Sequence, residues 1–264
     1  MPELNDPQLS TAPEHRILYA LQQTGSRLVG DRFLASYLAG CLSIVNGLGP
    51  AHKFLLASEG QKLGVDPEII KSQLAQADDN LRWVTEMMGE DFHRTNVLTL
   101  LSAWAAHEAG SENVIAAILC TIHSAAVSAA GKFAPGKYDL KSWPWPDELC
   151  LELSQKLDQK AKDKTPDGGW DAAARLTTLY GWLGVTVTPN TLASAKFNET
   201  SLIRNVLLHR YGRLGPRDFE RVPNLTDFPN KTVHLTRSRL SEYYQAIVDI
   251  HLAIANGVLA NEWK

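Results

Sequence analysis

The stretch SLIRNVLLHRYGR, residues 201–213, gives the clearest indication of how this chain folds. Its pattern is helical, and it predicts a helix over residues 198–211. Gly212 to Pro216 follow, and glycine and proline at these positions predict that the helix ends there. The helix carries three side chains that can act on a phosphate group, and a tyrosine follows two positions later: Arg204, Asn205, His209 and Tyr211.

The same helical pattern continues over most of the chain, whereas the alternation typical of strands is scarce. The sequence therefore predicts an all-α fold. Gly110 is expected to close one helix, and Asp66-Pro67 is expected to start another. Predicted helices cover residues 14–29, 31–47, 50–63, 66–88, 92–110, 111–132, 147–162, 170–183, 198–211 and 236–260.

The composition is that of a globular protein, with 44% hydrophobic and 21% charged residues. Cys41, Cys120 and Cys150 lie far apart and form no CxxC pair, which favours a reducing cytoplasm over a disulfide framework or a zinc site. The first residues lack the basic and apolar parts of a signal peptide, and no run approaches ~18 uninterrupted apolar residues. We therefore expect a cytoplasmic protein without a membrane span.

The charge is distributed unevenly. The net charge is −3, yet residues 201–240 contain eight basic and three acidic residues. A local basic stretch on an acidic body can attract a polyanion such as RNA to one place. An ordinary solvated loop and helix end would show the same composition.

The motif Arg204-Asn205-x3-His209 resembles the signature of the HEPN superfamily. With Tyr211, it also resembles the Arg-x4-His-x-Tyr pattern of HEPN toxins that are paired with a nucleotidyltransferase. The order of predicted elements over about residues 92–260 resembles that of larger HEPN proteins. The resemblance implies a HEPN-like helical bundle, with the HEPN-like domain at 91–264. Residues 13–90 form an N-terminal helical extension without a counterpart in the family, and residues 1–12, rich in Pro, Asn, Asp and Ser, are expected to be a mobile tail.

The resemblance also implies a function. The family cleaves RNA without a metal or other cofactor, and it acts as a homodimer in toxin–antitoxin or antiviral defence. Arg204, His209 and Asn205 would be catalytic. Tyr211 would support the site or be the residue that an antitoxin nucleotidyltransferase modifies.

Helix geometry and residue chemistry fit this expectation. At ~100° per residue, Asn205 and His209 lie within ~40° of each other, whereas Arg204 and His209 are ~140° apart, so a second copy of the helix would complete the site. RNA carries its own nucleophile, the 2′-OH, and an imidazole can move its proton near neutral pH. Arg204 can clamp the phosphate and stabilise its extra charge. Arg210, Arg213 and Arg217 would hold neighbouring phosphates.

Several other interpretations remain open. The chain can be a non-catalytic HEPN module that binds nucleic acid or a partner protein, or a structural helical protein whose Arg204–His209 pair is incidental. Glu108 is either a support for the site or a surface residue. Trp143 and Trp145 can stack on bases, but packing on the core is favoured. No HExxH motif occurs, so a metal site is not expected among five histidines: His93, His107, His123, His234 and His251.

Overall fold

A computed structural model describes residues 13–60, 62–134, 136–165 and 170–261. The fold over these ranges is all-α, as the sequence predicted, and they contain no β-strand; an isolated bridge joins Arg213 to Thr232. The predicted tail at residues 1–12 lies outside the described residues. The helices are α1 (Pro13–Glu59), α2 (Pro67–Gly89), α3 (His93–Thr121), α4 (His123–Ala130), α5 (Asp147–Lys164), α6 (Ala172–Gly181), α7 (Thr191–Arg210), α8 (Pro216–Arg221) and α9 (Arg237–Leu259).

Helix α1 is one continuous helix of 47 residues where the sequence predicted three. The predicted break before residue 50 was wrong. Gly49 does not end the helix; it allows α2 to pack closely, because a Cβ there would lie 2.2 Å from Cδ2 of Leu81 on α2. Pro50 removes one intrahelical hydrogen bond without ending the helix. Helix α2 packs along α1 on both sides of that proline, and this packing supports the helix through it.

Helix α3 likewise joins two predicted helices. Gly110 was expected to end the first of them, but it lies inside α3 at the crossing with α1. A Cβ at Gly110 would lie 2.2 Å from Oγ1 of Thr24, so only glycine lets the two helices approach this closely. The helix ends at Thr121, and α4 then leaves at an angle of 109°.

The core is built around α3, which packs against α1, α5, α7 and α9. Trp104, Leu100 and Ile118 of α3 are buried at its centre. The first half of α1 joins the same core through Ile17 and Leu21. Helix α2, in contrast, packs mainly on α1, so the second half of α1 and α2 form a two-helix hairpin beside the core.

Helix α7, which carries the motif, begins seven residues earlier than the sequence predicted. Asn190 caps it, because its Oδ1 accepts a hydrogen bond from the Ala193 N–H at 2.7 Å. At the other end, Tyr211 adopts a left-handed conformation with φ 50° and the helix stops. Asn198 ties α7 to α6: its Oδ1 accepts from the Ala173 N–H at 3.0 Å.

Among the described residues, one helix, His15–Glu59, is long and apolar enough to cross a membrane by length and composition, with a mean hydropathy of 1.4 and 6% of its most apolar window buried. The bent pair α3 and α4 meets the same test jointly. The expectation of a protein without a membrane span stays a prediction, because this test uses length and composition alone. Residues 33–51 contain glycine, serine and asparagine but no charge, so counting uninterrupted apolar residues missed them. Core helices and signal sequences meet the same criterion, so the finding does not assign the chain to a membrane.

Candidate functional site

Arg204 projects from α7 toward α3, where it meets Glu108. Its Nη2 donates to Oε2 of Glu108 at 3.1 Å, and its Nη1 donates to Oδ1 of Asn205 at 2.9 Å. Both members of the ion pair are partly exposed, Arg204 with 25% of its side chain accessible. The carboxylate thus holds the guanidinium in one orientation, and Glu108 supports Arg204.

These residues line a cavity of about 300 Å³ between α3, α6 and α7. Five basic side chains and two carboxylates border it, which gives the cavity a positive balance that suits an anion. Trp104 and Trp170 add aromatic surface. The charged lining residues are Glu108, Lys162, Arg175, Arg204, Arg210, Asp218 and Arg221.

Arg210 is held at the edge of this cavity by Asp218. The two side chains form a bidentate pair, with Nη2–Oδ1 at 3.0 Å and Nη1–Oδ2 at 2.8 Å. Burial acts to raise the pKa of Asp218, but hydrogen bonds from Arg210 and from the Gly215 N–H, which is 2.6 Å away, lower that pKa below its usual value. The carboxylate therefore stays charged, and it fixes both Arg210 and the start of α8.

The structure brings together only part of the predicted site. Arg204, Asn205 and Arg210 line the cavity, whereas His209 is exposed and is not one of its lining residues. Tyr211 is 93% exposed at the end of α7. Arg213 and Arg217 are also exposed and do not line the cavity.

Sequence reasoning missed Lys162, Arg175 and Trp170 as parts of the cavity. They lie 29 to 42 residues before Arg204 in the chain, on α5, α6 and the segment between those helices, and no spacing in the sequence connects them to the motif. Arg221 belongs to the basic stretch at residues 201–240, and its guanidinium lies 5.6 Å from the ring centroid of Trp170. That contact gives the cavity a flat wall with a cation beside it.

A second cavity of about 190 Å³ shares Glu108 and Arg175 with the first. It is also lined by His107 and by Asp158, whose Oδ1 lies 3.4 Å from Nε of Arg175. Burial raises the pKa of Asp158, and the nearby Glu108 raises it further although Arg175 lowers it. The two cavities therefore adjoin across α3 and α6, and we call the pair of them the groove.

Three buried polar side-chain atoms along this groove have no hydrogen-bond partner among the described residues. They are Nε1 of Trp104, Nδ1 of His107 and Nε of Arg175; Oη of Tyr138, elsewhere, is the other such atom in the described residues. Nε of Arg175 still lies 3.4 Å from Oδ1 of Asp158, so Nε1 of Trp104 and Nδ1 of His107 are the two buried polar side-chain atoms of the groove with neither a hydrogen bond nor an ion pair among the described residues.

Three other histidines and the two loop tryptophans that the sequence offered as candidates make packing contacts and structural hydrogen bonds. His93 stacks on His234 with ring centroids 4.8 Å apart, and His123 meets the edge of Trp143. Trp143 donates to the Leu119 carbonyl at 2.9 Å, and Trp145 donates to that of Asp139 at 2.9 Å, so both tryptophans anchor the loop on the core. Among the described residues, no group of three or more His, Cys, Asp or Glu is placed to hold a metal ion.

Comparisons with protein-family models, with curated proteins and with solved structures found no match to this chain. The function of the groove is therefore inferred from its own geometry and from the motif in α7.

Proposed function

We propose that this chain is an endoribonuclease of the HEPN type, which binds RNA phosphates in the groove beside Arg204 and cleaves the strand without a metal. The observation that carries the proposal is the cavity itself: five basic side chains against two carboxylates, with Arg204 and Asn205 of the motif on its wall. A phosphodiester is the anion that such a cavity, with tryptophan surface beside it, suits best.

The chemistry uses the 2′-OH of the RNA. One His209 removes the 2′-OH proton, the 2′-oxygen forms a bond to phosphorus and the bond from phosphorus to the 5′-oxygen breaks. A second His209 gives a proton to the leaving 5′-oxygen. The products are a 2′,3′-cyclic phosphate and a 5′-OH, and no water is consumed in this step. Arg204 stabilises the additional negative charge on the phosphate while the bonds exchange.

The second His209 requires a second copy of the chain. Arg204 and His209 lie ~140° apart around α7, so one helix cannot direct both side chains at one phosphate. Two α7 helices related by a two-fold axis present two arginines and two histidines to a shared cleft. His209 is exposed on its own chain, which leaves it accessible for such an arrangement.

The test is cleavage of single-stranded RNA in excess EDTA. The wild type should produce 2′,3′-cyclic phosphate ends, His209→Ala should produce none and Arg204→Ala should be at least a hundredfold slower. The matched control is His15→Ala, which removes an exposed histidine on a different helix, α1, and it should cleave at the wild-type rate. An inactive wild type on varied RNAs, or normal cleavage by His209→Ala, would contradict the proposal.

A second candidate is a non-catalytic module that binds nucleic acid in the same groove. The specific observation in its favour is that His209 does not line the cavity and that Glu108 already engages Arg204. In that case, Arg204→Ala weakens RNA binding, His209→Ala binds normally and no variant or wild type cleaves RNA.

The proposed setting is a cytoplasmic toxin–antitoxin or antiviral system. Tyr211 supports it, because a hydroxyl on a side chain that is 93% exposed is open to modification by an antitoxin nucleotidyltransferase. The test is toxicity on expression. His209→Ala should abolish it. Coexpression of a nucleotidyltransferase should relieve it in the wild type but not in Tyr211→Phe, and this pattern would support the setting.

A further inference from the structure

The second half of α1 carries an apolar face that nothing in the described chain covers. We call this face the seam; its residues alternate in spacing between four and three positions, which is the repeat by which helices pair in coiled coils. The seam consists of Leu34, Leu38, Cys41, Val45, Leu48, His52 and Leu55, and it is flanked on one edge by Tyr37 and Ile44.

The seam exposes an unusual amount of apolar surface. Seven large apolar side chains of the seam and its flank are between 42% and 64% exposed. At roughly 100 Å² each, they present on the order of 700 Å². Monomeric proteins rarely expose a continuous apolar patch above a few hundred Å², and a stable protein–protein interface covers about 800 Å² on each partner. The exposed area is therefore close to that of one complete interface.

Helix α2 does not cover the seam, because it packs on another side of α1. Thr85 donates to Oδ1 of Asn46 at 3.4 Å, Lys53 pairs with Asp78, and Gly49 contacts α2. Around the helix axis, these contact positions centre more than 100° away from the middle of the seam. The seam thus remains open along its whole length when the hairpin is formed.

The charges on the hairpin argue against a lipid bilayer as the occupant. Arg82 and Glu86 of α2 lie alongside the uncharged part of α1 and would enter the hydrocarbon region with it, where charged side chains are costly. Residues 29–89 contain seven acidic and five basic residues, so the hairpin also lacks the basic excess that draws a helix to an anionic membrane surface.

We infer that the seam pairs with the seam of a second copy of this chain, so that two α1–α2 hairpins form a four-helix assembly. An uncharged face is complementary to itself under a two-fold axis and needs no partner of opposite charge. This pairing does not depend on the proposed nuclease activity, and it uses a different surface from α7.

Sedimentation equilibrium of the full chain tests the pairing. Leu34, Leu48 and Leu55 are all more than half exposed, so changing the three to glutamine leaves the monomer core intact. The triple variant should have half the wild-type mass, with a dissociation constant at least a hundredfold higher. Leu192→Gln, which changes a leucine that is 78% exposed on α7, is the control and should keep the wild-type mass.

Cross-linking through Cys41 identifies the geometry, because Cys120 and Cys150 are buried. Mild oxidation of the wild type should trap a dimer if the two seams run parallel. If they run antiparallel about the middle of the seam, Leu48→Cys should trap it through Cys41. No disulfide-linked dimer in either protein, a wild-type mass equal to that of the triple variant, or wild-type binding to lipid vesicles that the triple variant loses would each overturn the inference.

Discussion

His107 offers a test of the core that surrounds the groove. It is 3% exposed on α3, it lies beside the rings of Trp104 and Phe197, and its Nδ1 has no hydrogen-bond partner in the part of the chain that the structure describes. Burial lowers its pKa to about 3, and the positive charges of His251 and Arg175 act in the same direction. The folded protein therefore keeps this imidazole neutral at a pH where the unfolded chain protonates it.

The sign and size of the effect follow from the two pKa values. Above pH 6.5, the usual value for an exposed histidine, His107 is neutral in both states and folding is unaffected. Between pH 6.5 and about 3, the unfolded state binds a proton that the folded state excludes, so the free energy of unfolding falls by about 1.4 kcal/mol per pH unit. At pH 5, the loss is about 2 kcal/mol, a sizeable part of a typical stability of about 5–15 kcal/mol.

Urea unfolding at pH 7.5, 6.5, 5.5 and 5.0 measures this loss. His107→Phe and His107→Gln both remove the titrating group, one keeping a ring between Trp104 and Phe197 and the other keeping a polar side chain. Between pH 7.5 and 5.0, the free energy of unfolding of each variant should fall by about 2 kcal/mol less than that of the wild type, whatever the variant's stability at pH 7.5. His251, whose pKa burial also lowers, is present in all three proteins and cancels in the comparison. Equal pH dependence in all three would refute the reasoning.

Three further predictions concern the site. Glu108→Gln should tighten RNA binding several-fold, measured by fluorescence anisotropy, because it removes a carboxylate that competes for Arg204; the lost ion pair should cost less than about 1 kcal/mol of stability. Asp218→Asn should destabilise the fold by about 1–3 kcal/mol in urea unfolding, because a buried carboxylate loses its charge-assisted bonds. The logarithm of the RNA association constant falls linearly with the logarithm of salt concentration, and Arg204→Gln should make that slope shallower by about one. Arg217→Gln, outside the cavity, should leave the slope unchanged.

The helical class of the fold could be predicted from the sequence because periodicity reports directly on secondary structure. The limits of the helices could not, because glycine has two uses that look alike in a sequence. Gly110 was interpreted as a helix end, yet it permits the close crossing with Thr24. Gly212, in contrast, has φ 81° and does follow the end of a helix. Only the position of a second helix distinguishes the two cases.

The candidate site could be predicted only where it depends on one helix. The position of Arg204 and Asn205 on α7 follows from helical spacing, and both line the cavity. Lys162 and Arg175 reach the same cavity through the packing of α5 and α6, which no local pattern encodes. The basic residues of this stretch do not share one location: Arg210 turns toward the cavity and Asp218, whereas Arg213 and Arg217, only a few positions later, do not line it. The turn at Tyr211 and Gly212 changes the direction of the chain between them.

Whether two chains share one cleft can be decided by mixing them. If each chain had a complete site, an equal mixture of wild type and His209→Ala, after subunit exchange, would keep half of the activity of the same amount of wild type. If one cleft needs the histidine of both chains, only dimers of two wild-type chains cleave, and random pairing leaves about a quarter. The helix geometry predicts a quarter, because Arg204 and His209 of one α7 lie ~140° apart and about 7.5 Å apart along its axis. Activity at one half would show that each chain acts alone and that the second copy has no part in the chemistry.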